Sequence, residues 1–177
     1  SAETLAEARE LADEHGALLV LDEIQTGVGR CGSFFAWEQS GVKPDALTLA
    51  KGLANGLPIG VLLVSDDAPI GFEPGDHGST FGGNLVSCAA ACAVVDTIDD
   101  AFLARVRDVS AQLAAGLAPF GTVRGLGLLL GVDIDRPVGP VVDAALARGL
   151  VVGTAGERTL RLAPPLVITA DEAAQAV

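Results

Sequence analysis

Two short apolar runs, each delivering one charged residue, constrain this chain more than any other feature. The first is Leu19-Val20-Leu21, which leads into Asp22-Glu23-Ile24-Gln25; the second is Ala46–Ala50, which leads into Lys51-Gly52. Apolar runs of this length, bounded by polar residues and glycine, read as buried strands of a parallel sheet. Each would then carry its terminal side chain to the carboxyl end of the sheet. Asp22 and Lys51 are therefore expected as a buried acid and a buried lysine on neighbouring strand ends.

That pairing matches the needs of pyridoxal 5'-phosphate. A lysine forms the Schiff base, and a carboxylate keeps the pyridine nitrogen protonated so that the ring can take up electrons. The bland reading of Lys51 is a surface lysine after a strand. Against it stand the glycines at 52, 56 and 60, which let backbone approach a ligand, and the placing of one charge between two apolar segments.

Composition limits the other classes. With 177 residues, 50% of them apolar, the chain can bury one large core or two small ones. The 23 acidic against 11 basic residues give a net charge of −12, which argues against nucleic acid or an anionic membrane as partner. No apolar run approaches the ~18–20 residues that span a bilayer. Three cysteines, with Cys88 and Cys92 in an alanine-rich stretch lacking histidine, suit a reducing cytoplasm and supply neither a disulfide framework nor a metal site. There is no methionine, so the chain reads as a piece of a longer protein.

Along the chain, residues 2–15 read as an amphipathic helix stopped by Gly16, and 17–21 as a buried strand. Residues 26–41 form a glycine-rich loop carrying Phe34, Phe35 and Trp37; strands are expected over 46–50 and 59–65. A small-residue, buried helix is expected over 84–98, and an amphipathic one over 101–117. Beyond Phe120-Gly121 the pattern predicts a strand over 122–134, a helix over 138–149, strands over 150–154 and 159–162, and a helix from Ala170. Alternating strands and helices imply the α/β class, with residues 1–100 and 101–177 as two domains and the boundary near 100–120.

Several motifs admit two readings. Gly27-x-Gly29-x-x-Gly32 has dinucleotide spacing, but polar residues separate it from the strand and no helix signal follows, so it reads as a loop. The strand ending in Asp22-Glu23 could equally hold the magnesium of a nucleotide hydrolase, although this chain has no phosphate loop. Ser79-Thr80-Phe81-Gly82-Gly83-Asn84 is either an anion-binding turn of backbone amides or a plain helix start. Arg161, alternating with Leu160 and Leu162 before Pro164-Pro165, is either a bidentate carboxylate ligand or a structural ion-pair partner. Cys31 is expected to be exposed and mildly reactive.

Taken together, Leu21 to Arg30, Pro44 to Gly52, Gly56 to Gly60, His77 to Asn84 and Leu160 to Leu166 resemble the class III, ornithine-type aminotransferases from end to end of the chain. The resemblance implies a type I pyridoxal-phosphate transferase fold: part of the large domain followed by the small C-terminal domain. It implies a homodimer with active sites shared between subunits. Lys51 and Asp22 would be catalytic. Asp22, Glu23, Ile24, Gln25 and Lys51 would bind the cofactor, and Thr80 would reach the phosphate in the other subunit. Ser79 and Arg161 would bind substrate, Arg161 through the α-carboxylate of glutamate. The motif combination is most like members that transfer the terminal amine of N2-acetylornithine to 2-oxoglutarate, giving glutamate, in arginine biosynthesis. Ornithine, 4-aminobutyrate or carrier-bound lysine as donor, or a non-catalytic partial subunit, are the alternatives. Two departures are Cys31 in place of the usual threonine and Leu85 in place of the usual proline. The earlier half of the family pattern is not covered, so this chain alone is expected to be inactive.

Overall fold

Helix α1 (Ala2–His15) starts where the Ser1 hydroxyl accepts the Thr4 amide, and it stops at Gly16, whose φ of 61° only glycine adopts at low cost. The computed structural model describes residues 1–177. Backbone contacts divide them into one unit of Ser1–Val28 with Ser33–Asp99, and a second of Gly29–Gly32 with Asp100–Val177. No sequence signal foreshadowed the assignment of residues 29–32 to the second unit.

The first unit holds a three-stranded sheet of β1 (Val20–Asp22), β2 (Ala46–Leu49) and β3 (Val61–Val64), in that order. β1 runs parallel to β2 with Asp22 opposite Thr48, and β3 runs antiparallel to β2. Asp45 anchors the strand starts: its Oδ2 accepts the Leu19 amide at 2.7 Å and pairs with Arg9 at 2.8 Å. Arg9 first, and then the Leu19 amide, hold this carboxyl below the usual aspartate range. One face of the sheet packs Leu47 and Leu49 on Leu53, Ala54 and Ala91, with Leu21 and Val61 at the margin.

Helix α2 (Leu85–Thr97) was expected to be buried, and it is not. Only Ser87 and Ala91 are buried, while Leu85 is 86% and Val86 68% exposed. Apolar residues run all round this helix, so composition could not say which face would find a partner. The same correction applies to β1. It covers Val20–Asp22, not 17–21, and Val20 and Asp22 face outward while Leu21 turns to the core.

In the second unit, α3 (Asp100–Leu117) buries Val106, Val109, Leu113 and Leu117, a stripe at helical spacing. Against it lies an antiparallel sheet in the order β4 (Thr122–Leu126), β5 (Leu129–Asp133), β7 (Thr159–Leu162), β6 (Gly153–Thr154). Leu128, Leu130, Val132 and Leu162 complete that core. The single strand expected over 122–134 is a hairpin, because Gly127 at φ 52° allows the chain to reverse between Leu126 and Leu129.

The strand expected over 150–154 shrinks to β6. Leu150 is held by the end of α4 (Gly139–Leu146), donating to the Ala145 carbonyl while Gly149, at φ 80°, donates to Leu146. That is a glycine-dependent helix stop, and it removes Leu150 from the sheet. Helix α5 (Ala170–Gln175) opens with a reciprocal Thr169–Glu172 capping box and buries Ala173.

Candidate functional site

The carboxyl ends of β1 and β2 carry one acid and one lysine. Asp22 closes β1; Lys51 lies just past the end of β2, beyond Thr48, the parallel partner of Asp22. Both side chains are exposed, not buried as expected. In the 3-10 turn Lys51–Ala54, Leu53 and Ala54 sink into the core while Lys51 and Gly52 stay on the outer side.

Lys51 has φ 44°, a left-handed conformation that costs a non-glycine residue roughly 1–2 kcal/mol. Its ammonium makes no ion pair within the chain. The space where side chains would project from Gly52, Gly56 and Gly60 is open.

The Asp22 carboxylate is oriented from one side only. Its Oδ1 accepts the Ile24 amide at 3.0 Å and the Thr48 hydroxyl at 3.2 Å. Oδ2 takes no hydrogen bond from the chain, so it is the atom presented outward. Thr48 was not foreseen as part of the site. Its only signal was being the one polar residue within the apolar run 46–50.

Glu23 has a different task from the one expected. It is 3% exposed, with Oε2 accepting the Ala36 amide and Oε1 the Trp37 amide, each at 2.8 Å. Both oxygens therefore serve the start of the 3-10 turn Ala36–Gln39, and neither is left for a cofactor. The alternation along an extended segment explains it: with Asp22 outward, Glu23 must turn inward. Ile24 is half-buried and Gln25 exposed.

The glycine-rich segment after this strand opens no helix; it is a run of turns. Val28, buried, stands at φ 57°, rare for a β-branched residue. Cys31 is buried, contrary to the expected exposure.

Ser79 and Thr80 lie on the exposed segment 71–83. The Asn84 side chain caps α2 by accepting the Ser87 amide at 2.9 Å, and Ser87 donates to the Pro58 carbonyl at 2.9 Å. The helix start is thus fastened beside the turn that follows Lys51, while Ser79 and Thr80 stay outside it.

Arg161 belongs to the second unit. It sits on β7 between Gly131 of β5 and Gly153 of β6, its direct partners across the sheet. On the Gly131 side of that face lie the Thr159 and Arg124 side chains, while on the Gly153 side only atoms of Arg161 itself come near. With Leu162, Val151, Pro164 and Ile168 it lines an apolar cavity of about 830 Å³. The other charged lining residue, Glu172, is engaged in the α5 cap, where first the Thr169 amide and then its hydroxyl lower its pKa.

The residues at the end of the first sheet suit pyridoxal phosphate. An amine without an ion pair and a carboxylate oxygen held ready by two donors to its neighbour are the donor set that cofactor takes.

A family model described as aminotransferase class-III matches residues 1–177. The chain is 49% identical over 177 residues to an acetylornithine aminotransferase of Corynebacterium efficiens, covering 98% of this chain and 44% of that one. It is 45% identical to acetylornithine aminotransferase 1 of Bordetella bronchiseptica, covering 96% and 45%. Among solved structures, N-acetylornithine aminotransferase from Stenotrophomonas maltophilia K279a superposes with a TM-score of 0.80 at 38% identity, covering 97% of this chain and 48% of that one. Ornithine aminotransferase from Toxoplasma gondii ME49 gives a TM-score of 0.88 at 34% identity, covering 97% and 44%. The chain therefore spans about half the length of the relatives it matches.

Proposed function

Because the chain belongs to the class III aminotransferase family, we propose that it carries the lysine and the carboxylate of a pyridoxal-phosphate-dependent transaminase. The proposed reaction moves the terminal amine of N2-acetylornithine to 2-oxoglutarate, giving the semialdehyde and glutamate. The observation that carries this reading is the placing of Asp22 and Lys51 at the carboxyl ends of adjacent parallel strands. The names of the curated relatives favour the acetylated donor.

When bound, pyridoxal phosphate supplies an electron-withdrawing ring that acidifies the carbon bearing the transferred amine. Lys51 Nζ is the group that would tether it and, as a free amine, move the substrate proton. Asp22 Oδ2 would hold the proton at the pyridine nitrogen, with the carboxylate plane set by Thr48 and the Ile24 amide. Gln25 and Ile24 would line the cofactor beside it. Arg161 would grip the α-carboxylate of glutamate and 2-oxoglutarate, and Ser79 would touch the substrate. Thr80 would reach the cofactor phosphate of a second subunit. The exposed apolar run Phe81, Leu85 and Val86 beside it supports a dimer that covers this surface.

The test is Lys51→Ala in the full-length protein. Borohydride should fix the cofactor onto Lys51 in the parent and not in the variant, and transamination should fall by about 10²–10⁴-fold or more. Normal turnover in Lys51→Ala would refute the pyridoxal reading.

A further inference from the structure

We propose that Arg30 is a positioning residue for Arg161: it clamps the exit of β7 and adds a second, uncompensated positive charge to the carboxylate site. The proposal rests on the reading of Arg161 as the residue that grips the acceptor's carboxylate. Arg30 comes from the glycine-rich motif that the proposed chemistry leaves without a role.

The clamp is visible in three hydrogen bonds. Arg30 Nη1 donates to the Pro164 carbonyl at 2.6 Å and to the Leu128 carbonyl at 3.0 Å, and the Arg30 carbonyl accepts the Leu128 amide at 2.9 Å. Pro164 follows Arg161 by three residues, and it and Pro165 have no amide hydrogen with which to extend the ladder. The guanidinium therefore supplies the donor that fastens this strand exit. The segment that carries Arg30 is itself fixed. Arg107 donates to the Gly32 carbonyl at 2.6 Å, and Ser110 donates to Gly127, the residue before Leu128, at 2.5 Å. Gly127 lies so close that a side chain there would overlap the Arg30 carbonyl and the Cys31 backbone.

The charge is equally specific. Arg30 pairs with no carboxylate; its hydrogen-bond partners are carbonyls. Burial is the main influence lowering its pKa; Cys31 opposes the shift and the charge on Arg161 adds to it. The Pro164 carbonyl that Arg30 holds belongs to a residue lining the same cavity as Arg161, which places the two guanidiniums as like charges at one site. An incoming carboxylate at Arg161 is attracted by both and relieves their repulsion, so Arg30 strengthens anion binding without touching the anion.

The experiment titrates glutarate, an unreactive dicarboxylate, into the holoenzyme by calorimetry at low and moderate salt. Arg30→Gln should weaken glutarate by roughly tenfold at low salt and reduce the salt dependence of binding, while cofactor retention is unchanged. Arg30→Lys keeps the charge, but its shorter side chain ends before the position from which Nη1 reaches both carbonyls, so it should lose roughly threefold. Arg161→Lys is measured in parallel. If it weakens glutarate and Arg30→Gln stays within about twofold of the parent, this proposal is overturned and the reading of Arg161 stands. If Arg161→Lys also leaves glutarate binding unchanged, the reading of Arg161 fails and takes this proposal with it. Equal loss of glutarate and cofactor in Arg30→Gln would mark Arg30 as a general brace and overturn the positioning role. Should Arg30→Gln fail to fold, Arg30→Lys decides, and unchanged glutarate affinity there overturns the proposal.

Discussion

Glu23→Gln is expected to destabilise the protein far more than its isosteric shape suggests. The parent carboxylate is buried and accepts two backbone amides, from Ala36 and Trp37, each at 2.8 Å. A charge-assisted hydrogen bond contributes about 1.5–3 kcal/mol, a neutral one about 0.5–1.5 kcal/mol. Glutamine keeps one amide with its oxygen and turns its NH2 toward the other, placing two donors face to face. The first bond is weakened and the second becomes an unsatisfied buried donor, itself costing about 1–3 kcal/mol. Because these contributions overlap, the expected loss is about 2–4 kcal/mol. Equilibrium urea unfolding reads it directly: at an m-value of about 2 kcal/mol/M, the midpoint should fall by roughly 1–2 M. The internal control is Glu38→Gln. Glu38 accepts the Phe35 amide in the same turn but is exposed, so its loss should stay within about 0.5 kcal/mol. A midpoint shift below about 0.3 M for Glu23→Gln would refute the reasoning and return Glu23 to the list of candidate cofactor residues.

Asp22→Asn should leave stability within about 0.5 kcal/mol, since an amide oxygen can keep both the Ile24 and Thr48 bonds, yet slow single-turnover transamination at least about tenfold; an unchanged rate would make Asp22 merely structural. Gly127→Ala should unfold or severely destabilise the second unit, by about 3 kcal/mol or more, because its Cβ meets backbone that cannot yield and its φ is 52°. Retention of the parent melting temperature would show that the β4–β5 turn has another conformation available.

Much of the fold was legible because it depends on local patterns. The stripe at Val106, Val109, Leu113 and Leu117 announces α3, and Gly16 and Asn84 mark helix ends through their own backbone chemistry. The Gly127 reversal is hidden in the sequence because an apolar segment with a glycine inside it looks like one long strand. The helix stop expected at Gly149 is present, but Leu150 joins the helix cap instead of opening a strand, because an apolar residue satisfies strand and helix-cap patterns equally.

The sequence by itself determined that Asp22 closes β1 and that Lys51 follows β2, because an apolar run followed by a charge has few places to end. It also determined the family, whose motifs are contiguous in the chain. Burial was decided by tertiary structure, since it depends on what lies across from a side chain and not on its neighbours in sequence. Thus Asp22 and Lys51 face outward, Glu23 turns inward to two distant amides, and Cys31 is enclosed. Arg30 is the extreme case. Its partners, Leu128 and Pro164, lie 98 and 134 residues away, so no local pattern could have disclosed them.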